Sequence, residues 1–209
     1  MVAKSWTFLT SYGAILLYVA GRPTAAPEAI QEALGLSAPT VARVLRNLRE
    51  SGYLEPSKRG DMDYYAIRPD LPLRRIPFNR VRLSELFLYG FPSTSPSVGN
   101  DVVTQSGDKE RWTILTSHGA VFLYVVDHPE ATIRQISDAT ALSERAVASI
   151  LGDLAEGSYI SKSKIGRRNV YQVHANLPLR QKYFRRLQLS EVFAPLSRSK
   201  GRTAATQAE

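Results

Sequence analysis

Cysteine is absent from the 209 residues of the chain. That excludes disulfide staples, thiolate metal sites and cysteine nucleophiles. Histidine is scarce: His118, His128 and His174 stand apart, with no metal-ligand spacing and no acidic cluster beside them. They read as ordinary surface or core residues. Serine, histidine and aspartate occur but do not group as a triad, and no glycine-rich loop has phosphate-binding spacing. The sequence therefore gives no support for an enzyme, a metal site or a cofactor. Long apolar runs are missing too, the longest falling far short of the ~20 residues that span a bilayer. Residues 1–26, with Lys4, an apolar stretch at 14–20 and small residues at 24–26, mimic a secretory signal. Nearly the same segment recurs in mid-chain, where no such leader can sit. The expectation is a cytoplasmic protein, nucleoid-associated if it binds DNA, with no membrane partner.

What is present is a 44% hydrophobic chain with a formal net charge of +8. The apolar content argues against a wholly disordered chain, and the length suggests one or two domains. A basic surplus suits a polyanion partner, but it is also common in proteins that bind no nucleic acid. Internal similarity is more informative. Shifting the sequence by 106 positions aligns 6–87 with 112–193 without a gap, and 36 of the 82 pairs are identical. WTFLTSYGAILLYV faces WTILTSHGAVFLYV, LPLR faces LPLR, and LSELF faces LSEVF. The reading is a tandem repeat: one domain at 1–90, a flexible Ser/Pro/Gly-rich linker at 91–110, a second domain at 111–194 and a disordered tail at 195–209. The charge divides as +4, −2, +4 and +2 across these parts, counting the second domain to 193 and the tail from there.

Each copy reads the same way. A first helix starts at Thr10 or Thr116 as N-cap and ends before Pro23 or Pro129. A short second helix covers 27–34 and 133–140. Ser37 and Ser143 then cap a third helix whose apolar stripe is Val41, Val44, Leu45 and Leu48, matched by Val147, Ile150, Leu151 and Leu154. That is the spacing of a helix-turn-helix. Beyond it, short aromatic and β-branched runs flank a glycine-containing turn, which reads as a β-hairpin. The fold class is thus mainly α with small β-hairpin wings: two tandem winged helix-turn-helix domains. A last amphipathic segment follows LPLR, carrying Arg74, Arg75, Arg80 and Arg82, and Arg180, Lys182, Arg185 and Arg186 in the second copy. The sequence leaves open whether it packs on the first helix, reaches a partner or lies near phosphate. Trp6 and Trp112 are most simply core anchors or part of a contact between helices.

The second copy, with W-T-I-L-T-S-H-G-A-V at 112–121, S-E-R-A-V at 143–147, G-R-R-N at 166–169 and N-L-P-L-R at 176–180, resembles small bacterial winged-helix regulators of the MarR/ArsR-like type. The resemblance implies sequence-specific binding of double-stranded DNA, with the third helix in the major groove and the wing against the backbone or minor groove. The copies differ. The first offers Thr40, Arg43, Arg46 and Asn47 on its third helix, and Arg and Asn can read guanine and adenine bidentately. Its wing sets Lys58 and Arg59 beside Asp61 and Asp63, whose carboxylates repel phosphate. The second has a basic wing of Lys162, Lys164, Arg167 and Arg168, but a third helix with Glu144, Arg145, Ser149 and Asp153. One copy is expected to supply more of the base reading and the other more of the phosphate grip.

Two such domains imitate the two half-sites of a dimer. A flexible linker of ~20 residues has a root-mean-square span of about 25 Å, comparable to a half-site spacing of ~34 Å. The main alternative is a winged-helix protein-interaction or chromosome-organising module in which one or both copies do not read DNA. An RNA or replication-origin binder is a weaker one. A homodimer or protein partner is left open by the first and last segments of each copy.

Overall fold

In the computed structural model, residues 6–59, 62–75, 77–87, 112–166, 168–181 and 183–193 are described, with the backbone alone for Arg59, Met62 and Asp63. The expected linker at 91–110 and tail at 195–209 lie outside these residues. The elements are α1 (Ser11–Gly21), α2 (Pro27–Leu34), α3 (Ala38–Glu50), β1 (Leu54–Arg59), β2 (Met62–Ile67) and a one-turn α4 (Leu83–Leu86), then α5 (Ser117–Asp127), α6 (Ile133–Thr140), α7 (Glu144–Glu156), β3 (Ile160–Ile165), β4 (Arg168–Val173) and a one-turn α8 (Leu189–Val192). Each element of the second set begins 106 residues after its counterpart, from Ser11 and Ser117 to Leu83 and Leu189. The chain is helix-rich with small antiparallel hairpins, β1 with β2 and β3 with β4, an arrangement compatible with a winged helix-turn-helix.

Local chemistry sets these boundaries. Thr10 and Thr116 accept from the backbone N–H of Gly13 and Gly119, capping α1 and α5. Pro27 opens α2, where its missing N–H is harmless, and Gly35 closes it at φ +65°. Ala141 takes the same left-handed corner at φ +54°, a strain that glycine would not feel. Ser143 caps α7 through the Ala146 N–H, whereas the Ser37 hydroxyl turns to Thr40 at 2.8 Å and leaves the α3 terminus without a side-chain cap. The stripe Val41, Val44, Leu45 and Leu48 is buried, as is Val147, Ile150, Leu151 and Leu154. The hairpins are tied to the helices by the Tyr65 N–H on the Pro23 carbonyl and the Tyr171 N–H on the Pro129 carbonyl. The segment after LPLR is less helical than its amphipathic pattern predicts, because Pro72↔Arg82 and Pro178↔Gln188 bridges fold it back on itself.

The two halves share one core. α1 is buried continuously from Tyr12 to Val19, as befits a helix that is apolar on every side. One side meets α2 and α3, and another is covered by the segment leading into α5. There Leu9 and Leu115 form an antiparallel bridge, and the Thr10 and Thr116 N–H groups donate to the Ile114 and Phe8 carbonyls. The hydroxyl of Thr10 donates to the Thr113 carbonyl, and that of Thr116 to the Thr7 carbonyl. Each segment therefore crosses onto the other half. Trp6 stacks on His118 at 4.7 Å, meets Tyr159 edge-on and carries Arg180 over its face; Trp112 does the same with Tyr12, Tyr53 and Arg74. Phe87 and Phe193 close the far end.

The crossing requires two glycines. A Cβ on Gly13 would lie 2.4 Å from the Ile114 carbonyl oxygen, and one on Gly119 2.2 Å from that of Phe8. Gly119→Ala is expected to destabilise the protein by about 1–3 kcal/mol through backbone overpacking. Ala141→Gly is expected to stabilise it by up to ~1 kcal/mol by relieving the left-handed corner. Urea unfolding midpoints moving in opposite directions would confirm both; equal shifts would contradict the crossing.

Candidate nucleic-acid interface

The solvent face of α3 follows from its apolar stripe: burying Val41, Val44, Leu45 and Leu48 leaves Arg43, Arg46 and Arg49 exposed. These three cations recur at i, i+3, i+6 and form one stripe. Arg49 is absent from the sequence-derived set, although this spacing extends to it. It lines a groove of about 820 Å³ together with Lys58, Ser57, Pro56 and the start of α2 at Ala26 and Pro27. Thr40 is half-buried and shares its hydroxyl with Ser37. Asn47 is half-buried too, and its Nδ2 donates to the Tyr12 hydroxyl at 2.7 Å. Arg43 donates to the same hydroxyl at 3.1 Å through Nη1, which leaves the other edge of the guanidinium available. Tyr12 in turn stacks on Trp112, with the rings 4° from parallel. The α3 face is thereby fastened to the contact between the halves.

The corresponding positions on α7 carry different chemistry. Ser149, Gly152 and Ala155 stand where α3 has Arg43, Arg46 and Arg49, and all three are exposed. Arg145 and Ser149 remain on the outer face beside Glu144. Asp153, expected on the surface of this helix, is buried instead. It pairs with His118 at 3.1 Å, in the place held by Asn47 and Tyr12 in the first half. Its carboxylate is directed into the contact between the halves and not toward a ligand in solvent.

The hairpins differ in the same sense. In β3 only Ile160 is buried, and Lys162 and Lys164 are exposed. Arg168 is exposed, with Glu130 at 3.9 Å, a loose pair that water screens. Arg167 lies outside the described residues, as do Asp61 and the side chains of Arg59 and Asp63; Lys58 is described and exposed. Other cations are committed elsewhere. Arg68 is held by Asp70 and Glu55, and its hydrogen bond keeps the Asp70 carboxyl below the usual range. Arg74 and Arg180 cover the two tryptophans, and Arg75 donates to Ser117 across the halves, its pKa lowered by burial. Burial also raises the Tyr159 phenol above its ordinary value, so it stays a neutral donor to the Pro178 carbonyl at 2.9 Å. Among the described residues no cluster of His, Asp and Glu could hold a metal ion, and no helix is long and apolar enough to cross a membrane.

Residues 13–57, from the first turn of α1 through α2 and α3 into β1, match the model of the IclR helix-turn-helix domain. No curated protein matches the chain. The match supports a DNA-binding helix-turn-helix of a transcriptional regulator, and it falls within the half that bears the arginine stripe.

The Tyr12–Asn47 and His118–Asp153 pairs occupy equivalent places, so their members are expected to depend on each other. His118→Tyr or Asp153→Asn alone is expected to lower stability by about 1–3 kcal/mol, the range for a disrupted buried polar contact. The double variant, which reproduces the first half's pair, is expected to recover most of it. Additive losses in a denaturation cycle would refute the equivalence.

Proposed function

We propose that the chain is a sequence-specific double-stranded DNA-binding protein, a bacterial transcriptional regulator that uses two winged helices in one chain. It acts by binding, without catalysis, in the cytoplasm. The observation that carries this reading is the reciprocal crossing of the halves combined with the exposed stripe Arg43, Arg46 and Arg49. In this reading the crossing would hold two helix-turn-helix units as a two-fold dimer does, and duplex DNA with paired half-sites suits that arrangement. Their relation is set by contact, so the span of a tether does not determine the half-site spacing.

In this reading α3 lies in the major groove, where Arg46 and the free edge of Arg43 reach base edges and Arg49 with Lys58 meets phosphate. The second unit contributes chiefly through Lys162, Lys164 and Arg168, with Arg145 and Ser149 as the polar contacts α7 still offers. Unequal half-sites follow from this division. A second reading is favoured by one observation, the small neutral surface of Ser149, Gly152 and Ala155: the second unit then docks a protein and only the first reads DNA.

Fluorescence anisotropy on random duplex DNA, titrated with salt, tests the proposal. Affinity at low salt that falls linearly with log salt is expected; no affinity at low salt refutes it. Lys162→Ala with Lys164→Ala is expected to weaken binding to all sequences and to flatten the slope by about two. Arg46→Ala is expected to relax preference at a few base pairs instead, by about 1–3 kcal/mol at the base it reads. If the lysine pair changes nothing while Arg46→Ala does, the second reading replaces the first.

A further inference from the structure

The three arginines of the α3 stripe differ in how they are held. Among the described residues, the side chains of Arg46 and Arg49 have no recorded hydrogen-bond or ion-pair partner. Arg43 is fastened twice. Its Nη1 donates to the Tyr12 hydroxyl at 3.1 Å, and its guanidinium carbon lies 5.9 Å from the centre of the Tyr12 ring. That ring is itself fixed, because Tyr12 is buried and lies parallel to Trp112 with the centroids 4.5 Å apart. Trp112 belongs to the other half and also carries Arg74 at 4.3 Å. The second half has the same frame without this fork. His118 stands where Tyr12 stands, turns its Nε2 to Asp153 at 3.1 Å, and has Ser149 at the position of Arg43. A polar pair fills the place in both halves, so packing alone does not call for a phenol. An arginine at position 43 does.

We infer that Tyr12 is a specificity-determining positioning residue for α3, and that Trp112, acting through it, lets the second half set the base preference of the first; the inference rests on the DNA-binding reading above. Reading guanine takes two parallel hydrogen bonds, which need a guanidinium fixed in plane and direction. A free arginine that meets the wrong base swings to a nearby phosphate and recovers much of the lost interaction. Arg43, tied at Nη1, keeps its Nε–Nη2 edge for the base and lacks that escape, so a mismatch leaves the edge without an acceptor. Discrimination therefore comes from what the tether forbids. Arg49, untied, suits phosphate, which accepts from many directions. The Tyr12 hydroxyl is neutral, so removing it leaves the number of phosphate-neutralising charges unchanged.

The test uses the full chain and a duplex that wild type recovers from a pool randomised over about two helical turns, with each base pair then changed in turn. Competition anisotropy gives the preference at each position, and random duplex gives the base-independent affinity. Tyr12→Phe, which keeps a ring on Trp112, is expected to hold its random-duplex affinity and salt slope. It is expected to lose about three- to tenfold of the preference at the base pair where Arg43→Ala loses it. The double variant is expected to lose no more there than Arg43→Ala alone, since Tyr12 acts through that side chain. Trp112→Phe is expected to lose preference at the same base pair. In wild type without DNA, side-chain nitrogen relaxation is expected to show the Arg43 guanidinium more ordered than those of Arg46 and Arg49, a readout that needs no variant to fold.

Wild-type preference in Tyr12→Phe, a loss spread evenly over the site, or a double variant worse than Arg43→Ala at that base pair each overturns the positioning role. An Arg43 as mobile as Arg46 overturns it too. Unchanged preference in Trp112→Phe overturns the part assigned to the second half. A wild type that binds no duplex, or binds all duplexes alike, overturns the functional reading itself.

Discussion

The antiparallel contact between Leu9 and Leu115 governs most of what surrounds it. A buried strand must pair its backbone groups, and here the N–H groups of Thr10 and Thr116 find their acceptors on the opposite half. The same threonines cap α1 and α5, so the step that starts each helix also fixes the other half against it. The approach is close enough that Gly13 and Gly119 can carry no side chain. Once the segments cross, each tryptophan is delivered into a box built by the other half. The arginine of each LPLR motif then covers it, at 4.3 Å for Arg74 and 4.4 Å for Arg180. α1 is apolar all round because partners cover its sides.

This contact also reaches the surface. Trp112 stacks on Tyr12, and the Tyr12 hydroxyl takes hydrogen bonds from Arg43 and Asn47. A chain of three side chains thus connects the contact between the halves to the exposed face of α3. Rotamers held in this way are preorganised, which lowers the ordering entropy that an arginine otherwise loses when it meets a base. The arrangement of the halves and the aim of Arg43 are therefore set by one packing solution.

Much of this was legible from the residues. The cap threonines, the bounds of α2 and α6, the apolar stripe of α3 and the hairpins follow from local periodicity and cap chemistry, which act over a few residues. The crossing was not legible, because Trp6 and Trp112 look like core anchors in any packing and their partners lie in the other half. For the same reason Asn47 and Asp153 read as surface residues by helical position alone. Each turned inward because a polar ring, Tyr12 or His118, arrived from α1 or α5 to receive it. Arg74 and Arg180 were ambiguous until a tryptophan face appeared beneath them. Arg49 was within reach of the spacing that marked Arg43 and Arg46.

Placing both halves in one chain has a consequence for symmetry. In a two-fold homodimer every substitution appears twice, so equivalent helices must stay alike. Here they need not. Several positions at the crossing are the same on both sides: threonine caps, glycines, tryptophans and covering arginines all recur, while Tyr12 and Arg75 are matched by His118 and Gln181. The outward positions differ, Arg43, Arg46 and Arg49 facing solvent on α3 where α7 has Ser149, Gly152 and Ala155. Between these extremes, the buried pair changed as a unit from tyrosine with asparagine to histidine with aspartate. A single change there mismatches the reach and charge of one partner against the other, which costs about 1–3 kcal/mol where the hydrogen bond is lost. Difference between the halves is thus freest where a side chain meets only water and correlated where two side chains meet each other. The face left free to vary is the solvent side of α3 and α7.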